Sequence, residues 1–170
     1  MIGVDLGLNV GSVIRTINNN VKYSYVLKFN HEKESSNLVE RIHNIAIRFM
    51  EHIQASRYDN LRGKNYKDVV AIEEPVFSWG RKNPVGFAKN VKLIFHLEYM
   101  LWKRKIPYVL VNNKAAKKVA GYGGKDKAGM IEAYRNFTGS EPGHSAKYGK
   151  ETLADAFFIA KAGYYKVQKD

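Results

Sequence analysis

Four carboxylates stand where metal-assisted chemistry is expected. Asp5 and Glu73 each end a short apolar run typical of a buried strand, and Glu151 and Asp155 are four residues apart. Acids at strand ends reach the crevice outside the carboxyl ends of an open α/β sheet, and residues four apart share one helix face. Grouped carboxylates repel one another and are costly to bury without cations. The pattern therefore predicts a metal site.

The donor chemistry narrows the choice of metal. The chain has no cysteine, so thiolate ligands and disulfides are excluded. Hard oxygen ligands favour Mg²⁺ or Mn²⁺. Two such ions, roughly 3.5–4 Å apart, can activate water and stabilise the leaving oxygen of an in-line phosphoryl displacement. We therefore expect two ions in each active site.

The charge distribution indicates the substrate class. The net charge is +12, and residues 78–127 hold twelve Lys or Arg against two acids, which is a net +10 in fifty residues. A concentrated basic region is typical of a phosphate-binding face, with a solvated surface as the plain alternative. Beside a metal-carboxylate centre, such a face points to a nucleic-acid phosphodiester, and the candidate contacts within it are Arg81, Lys82, Lys114, Lys117, Lys118 and Lys125. Trp79, in the same region, is a candidate to stack on a base or to join a dimer interface.

Length and hydropathy predict one domain over residues 1–170. The chain is 45% hydrophobic and 12% aromatic, which is enough for a substantial core. No apolar run approaches the ~18 residues of a membrane span, and no secretory leader is evident. We therefore expect a cytoplasmic protein without a membrane partner.

Periodicity predicts an α/β order of elements. The first three strands form an antiparallel meander whose second turn is Asn18-Asn19-Asn20, because Asn tolerates positive φ. Two further strands alternate with helices. The predicted strands are 1–6, 12–17, 21–29, 68–74 and 107–111, and the predicted helices are 35–53, 83–104, 125–137 and 151–167. Residues 140–150 are expected to form a polar loop.

Four motifs together resemble those of a known family. They are Ile2–Gly7, Val70–Glu73, Val119–Lys127 and Leu153–Phe157. Their order and approximate spacing are similar to those of RuvC-type Holliday junction resolvases, including phage-type members that act in the host cytoplasm. The resemblance runs nearly end to end. It implies a ribonuclease H-like fold with a central mixed five-stranded sheet, three strands antiparallel and then two parallel, flanked by helices.

The resemblance also implies roles for individual residues. Asp5, Glu73 and Asp155 match the metal ligands, and Lys127 resembles a lysine near the scissile phosphate. Phe77 matches an aromatic that contacts junction bases, with a core position as the alternative. The family pattern further implies a Mg²⁺-dependent homodimer that makes paired symmetric nicks in a four-way DNA junction.

Two departures from the family pattern leave one position open. Bacterial members carry an acid or His three residues before the final Asp, where this chain has Thr152. Glu151 and His144 are the two candidates for the fourth functional residue.

The second departure is Pro75, which adds a residue after the fourth strand. Glu74 should face away from the metals, because adjacent strand residues point to opposite faces.

The sequence thus predicts a structure-selective endonuclease acting on branched DNA. Two alternatives stay open. One is another ribonuclease H-like nuclease that cuts RNA–DNA hybrids or flaps. The other is a junction-binding protein whose carboxylates no longer catalyse.

Overall fold

The computed structural model describes residues 1–29, 37–58, 68–75, 84–121 and 127–169. The strands are β1 Ile2–Asp5, β2 Val10–Ile17, β3 Asn20–Lys28, β4 Val70–Glu73 and β5 Tyr108–Val111. The helices are α1 Leu38–Tyr58, α2 Pro84–Lys103, α3 Asn113–Val119, α4 Lys127–Thr138 and α5 Lys147–Val167. None of these helices is both long and apolar enough to cross a membrane.

The five strands form one mixed sheet in the order β3-β2-β1-β4-β5. β1 and β3 each pair antiparallel with β2, whereas β4 pairs parallel with β1 and with β5. Asn18 and Asn19 have positive φ of 48° and 67° in the β2–β3 turn. The predicted fold class is therefore confirmed.

Helices cover both faces of the sheet. Val4 and Ile72 pack in the core under α1 and α2, whereas Ala71 belongs to the core beneath α3, α4 and α5. A Cβ on Gly3 would lie 2.0 Å from the carbonyl oxygen of Ala156. The missing side chain therefore lets α5 lie directly on β1, and alternate residues of β1 and β4 face α5.

Three helices differ from the sequence prediction. Helix α1 ends at Tyr58, five residues after the predicted end at residue 53. Helix α3 was not predicted; it is seven residues long, and the Asn112 side chain caps it by accepting from the Lys114 amide at 2.9 Å. Helix α5 begins at Lys147, four residues before the predicted start. Its N-cap is Ala146, which makes no side-chain capping bond, so no capping residue marks the start in the sequence. The predicted loop of residues 140–150 is correspondingly shorter.

Candidate active site

Asp5 and Glu73 end neighbouring parallel strands. The register pairs Val4 with Ile72, one residue before each acid. Gly3 and Ala71, two residues before each acid, contact α5. Because side chains alternate along a strand, both carboxylates face α5 from the same end of the sheet. The topology therefore brings two predicted metal ligands side by side.

Thr152 of α5 holds the Asp5 carboxylate. The Thr152 hydroxyl donates to Asp5 Oδ2. The Ser12 hydroxyl of β2 donates to the Thr152 carbonyl oxygen at 2.8 Å. Ser12 and Thr152 are both buried. These bonds join β1, β2 and α5 and orient Asp5, so the position at which the sequence departs from the family pattern contacts a predicted ligand directly.

Asn113 plays a similar part at Glu73. Its Nδ2 donates to Glu73 Oε1 at 2.7 Å. Asn113 is the first residue of α3 and follows β5, the parallel neighbour of β4. Sequence reasoning missed this contact. The signal that could have revealed it was a polar residue just after a parallel strand, because such residues converge at one sheet edge.

Helix α5 carries the other two acids. Thr152 and Asp155 are three residues apart and share a helix face, so Asp155 lies on the side of α5 that meets Asp5. Glu151 Oε1 lies 4.0 Å from Lys147 Nζ, one turn earlier, and the Glu151 side chain is only 15% exposed. Asp155 is half-buried. All four predicted acids therefore lie on three elements that meet at one end of the sheet.

The donor set fits Mg²⁺ or Mn²⁺ in chemistry, because it consists of hard carboxylate oxygens. Two of these donors, Asp5 and Glu73, also lie at the ends of adjacent strands. Within the described ranges, no group of three acidic or histidine side chains lies close enough together to hold a metal ion. Asp5, Glu73, Glu151 and Asp155 would hold the ions, with a helix carboxylate drawn toward the strand acids. The ligand assignment stays a prediction.

His144 packs at the start of α5. Its Nδ1 accepts from the Ala146 amide at 3.0 Å. A Cβ on Gly149 would fall within 2.1 Å of the ring, so the imidazole lies against the first turn of α5. These contacts give His144 a structural part in beginning the helix, alongside its predicted role as fourth functional residue.

Helix α3, which begins next to Glu73, carries three lysines. Lys114 and Lys118 are exposed, Lys117 is half-buried, and Ala116 packs into the core. Asn113, which begins this helix, bonds Glu73, so the helix that carries these lysines starts beside that acid. The other predicted contacts, Phe77, Trp79, Arg81, Lys82 and Lys125, fall outside the described residues, as does the side chain of Lys127.

Comparison with known proteins shows a likeness of structure. No protein-family model and no curated protein sequence matches the chain. Thermus thermophilus RuvC in complex with a Holliday junction substrate has a TM-score of 0.68 and 16% identity, covering 99% of this chain and 94% of that one. A second structure of Thermus thermophilus RuvC has a TM-score of 0.66 and 18% identity, covering 98% and 95%.

A resolvase from yeast mitochondria shows the same likeness of structure. The yeast mitochondrial Holliday junction resolvase has a TM-score of 0.61 and 16% identity, covering 99% of this chain and 78% of that one. At these identities the likeness establishes the fold. The chain has the fold of the RuvC resolvases from end to end.

Proposed function

We propose that the chain, as a single nuclease domain over residues 1–170, is a structure-selective endonuclease. It would resolve four-way DNA junctions by paired symmetric nicks, using two Mg²⁺ or Mn²⁺ ions in each active site. Its place of action would be the cytoplasm, or the host cytoplasm for a phage-type member.

One observation carries this proposal. Asp5 and Glu73 end adjacent parallel strands and face α5, which bears Glu151 and Asp155. This arrangement occurs in a fold that matches, over 99% of the chain, a RuvC solved with a Holliday junction substrate. Carboxylates at that edge are the ligands that a phosphodiester-cleaving metal centre requires.

The residues around the acids would prepare the site for metal binding. When bound, the two ions would supply an activated water and stabilise the leaving oxygen of the phosphodiester. The Thr152 hydroxyl and the Asn113 amide each fix one carboxylate oxygen, of Asp5 and Glu73 respectively. Fixing these rotamers in advance lowers the reorganisation needed on binding. Lys127 would lie near the scissile phosphate.

The α3 lysines would contact the DNA backbone. Lys114, Lys117 and Lys118 lie next to the Glu73 edge, where they could neutralise phosphates and release counterions. Predicted contacts from Phe77, Trp79, Arg81, Lys82 and Lys125 would extend this surface.

Paired nicks require two active sites, so a second copy of the chain is the expected partner. Helix α2 exposes Phe95, Tyr99 and Trp102 by 59%, 53% and 68%. Their spacing of four and three residues is that of a helix–helix seam, and such patches mark protein interfaces. Light scattering should give a dimer mass for the wild type and a monomer mass for Phe95→Glu with Tyr99→Glu. A dimeric double variant would contradict this interface.

A junction-binding protein that does not cut is the second candidate. Thr152 stands where bacterial family members have an acid or His, and its hydroxyl is bonded to Asp5. Within the described residues, no three acids or histidines are gathered for a metal. Both observations are compatible with a fold that grips junctions without cleaving them.

One assay separates the candidates. Labelled four-way junction, linear duplex and RNA–DNA hybrid are each incubated with the protein, with Mg²⁺ and with EDTA. Symmetric nicking of the junction alone, abolished by EDTA, supports the resolvase. Hybrid cleavage supports another nuclease of this fold. Junction binding that EDTA does not affect, without cuts, supports the second candidate.

A further inference from the structure

A second site lies at the opposite end of the sheet from the acids. A cavity of about 440 Å³ opens where β1 and β4 begin, where the β2–β3 turn lies and where α5 ends. We call it the amino-end cavity. The residues that line it include Arg15, Asn19, Asp68, Lys161, Tyr164 and Tyr165. None of the four predicted metal-binding acids and none of the proposed DNA contacts is among these residues.

Arg15 is the most buried charged group of the cavity. Its side chain is 1% exposed, and its Nε donates to Asp68 Oδ2 at 3.1 Å. Its Nη2 is buried and has no hydrogen-bond partner among the described residues. A buried donor left unpaired is costly, and a guanidinium is built to bind through several N–H groups at once. Arg15 therefore retains capacity for another acceptor.

Lys161 adds a second buried cation. It is 8% exposed, and its Nζ donates to Asn19 Oδ1, a neutral acceptor. The Nζ lies 5.7 Å from the ring centroids of Phe137 and Tyr165. In the described part of the chain no carboxylate forms a salt bridge with it, and burial lowers the pKa of its ammonium group. The ammonium therefore has a neutral amide and two ring faces as its partners, and no carboxylate among the described residues.

The cavity is short of negative charge. Among the described residues that line it, Asp68 is the one acid, and it is already paired with Arg15. Asp68 Oδ1 also lies 3.7 Å from the Met1 amine. Lys161 is left with a neutral partner. Buried charges in proteins are normally paired, so the excess of positive charge makes this cavity suited to an anion.

We propose that the amino-end cavity binds the phosphate group of a small phosphomonoester. An arginine fork and a lysine ammonium together are the usual recognition groups for phosphate. The volume lies within the range of small-molecule sites, ~300–1,000 Å³. It leaves room for a group attached to the phosphate, and Tyr164 and Tyr165 offer ring surfaces for it. A nucleoside 5′-monophosphate has this size and chemistry.

The test measures binding by isothermal titration calorimetry at an ionic strength of about 0.15 M, which screens the exposed basic surface. Inorganic phosphate and adenosine monophosphate are titrated separately, with adenosine as the uncharged comparison. Tighter binding of the monophosphate than of phosphate identifies a nucleotide-like ligand. Equal affinities identify the free phosphate ion. Both results require that adenosine alone does not bind.

Lys161→Met is the decisive variant. It keeps the length of the side chain and removes a buried charge, a change that proteins commonly tolerate. The Kd should rise about tenfold or more, as expected for the loss of one charge-assisted hydrogen bond. Lys169→Met removes an equal charge from the same end of the chain, outside the cavity lining, and should leave the Kd unchanged.

The result is independent of the proposed nuclease. Glu141→Gln changes an exposed acid that belongs neither to the cavity lining nor to the four predicted metal ligands, and it should bind phosphate as the wild type does. Equal binding by wild type and Lys161→Met would overturn the proposal, as would the absence of saturable binding by the wild type. Circular dichroism of each variant confirms that it is folded.

Discussion

The two ends of the same sheet carry opposite charges in opposite environments. At the carboxyl ends of β1 and β4, half-buried Asp5 and Glu73 accept bonds from neutral donors, a hydroxyl and an amide. At the amino ends, buried Arg15 is paired with an acid. Helix α5 spans both ends, with Thr152 at one and Lys161 at the other, about 14 Å apart along a helix rising 1.5 Å per residue.

The two ends differ in how their acids are held: neutral groups hold Asp5 and Glu73, whereas an arginine is paired with Asp68. A hydroxyl and an amide orient the Asp5 and Glu73 carboxylates, whose oxygens are the hard ligands that divalent cations prefer. At the other end Arg15 and Asp68 neutralise each other inside the protein, where removal of one partner leaves the other charge uncompensated. Substitutions of the acids at the carboxyl end should therefore change activity, and a substitution that breaks the buried Arg15–Asp68 pair should change stability.

Asp5→Asn should produce the largest change. Removing one ligand oxygen charge is expected to lower junction cutting about a thousandfold or more, because several kcal/mol of transition-state stabilisation would be lost. Junction binding should persist or tighten, since a negative charge near the phosphate is removed. Cleavage and gel-shift assays measure the two effects. Glu74→Gln, an exposed neighbour of Glu73, is the matched control, and wild-type cutting by Asp5→Asn would refute the ligand assignment.

Asp68→Asn should affect stability most. It leaves the Arg15 guanidinium buried without its acid, which typically costs about 3–5 kcal/mol of unfolding free energy. Urea unfolding followed by circular dichroism measures this loss. Glu141→Gln breaks exposed ion pairs with Arg135 and Lys150 and should have little effect. Equal stability of the two variants would mean that the buried pair does not hold the amino end together.

Thr152→Val should weaken metal binding at the carboxyl ends of the strands without abolishing it. The variant keeps the shape of the side chain and loses the hydroxyl that donates to Asp5. Loss of such a supporting contact commonly lowers metal affinity or activity about 10–100-fold. Cutting measured against Mg²⁺ concentration should shift to higher Mg²⁺, and Thr152→Ser should restore the wild-type curve. Failure of Ser to rescue would count against the hydroxyl.

Glu151 and His144 should differ in which property they change. Glu151→Gln should reduce cutting about tenfold or more with little change in stability, as for a residue supporting the metal site. His144→Gln should mainly destabilise the protein, by about 1 kcal/mol, because the acceptor for the Ala146 amide is altered. Cleavage rates and urea midpoints measure both. The reverse outcome would make His144 the fourth functional residue.

The smallest expected effect is a pH dependence of stability, caused by histidines in α1 and α2, away from both ends of the strands. Burial lowers the pKa of His96 and of His52 below the ordinary 6.5, and His43 adds to the shift at His96. The unfolded chain therefore binds more protons than the folded one, so stability is full above about pH 6.5 and falls below it. Urea midpoints at about pH 7.5 and 5.5 measure the loss. His96→Gln should reduce it, and an unchanged pH dependence would contradict the cause.

Much of the fold could be predicted from local patterns. The apolar runs of β1 and β4 and the 3.6-residue periodicity of α1 were recognisable because each repeats one burial pattern along its length. Helix α3 was missed because seven residues rich in lysine show no apolar stripe. The start of α5 was misplaced because Ala146 gives no capping signal.

The sequence by itself determined that carboxylates end two buried strands, that the chain carries a concentrated excess of basic charge, and that its motifs resemble those of RuvC. Only the tertiary structure decided which side chains hold those acids. Thr152 meets Asp5 across 147 positions of the chain, and Asn113 meets Glu73 across 40. The charge imbalance between Arg15, Asp68 and Lys161 was likewise invisible in the sequence. Such contacts depend on strand order and helix packing, which no local pattern encodes.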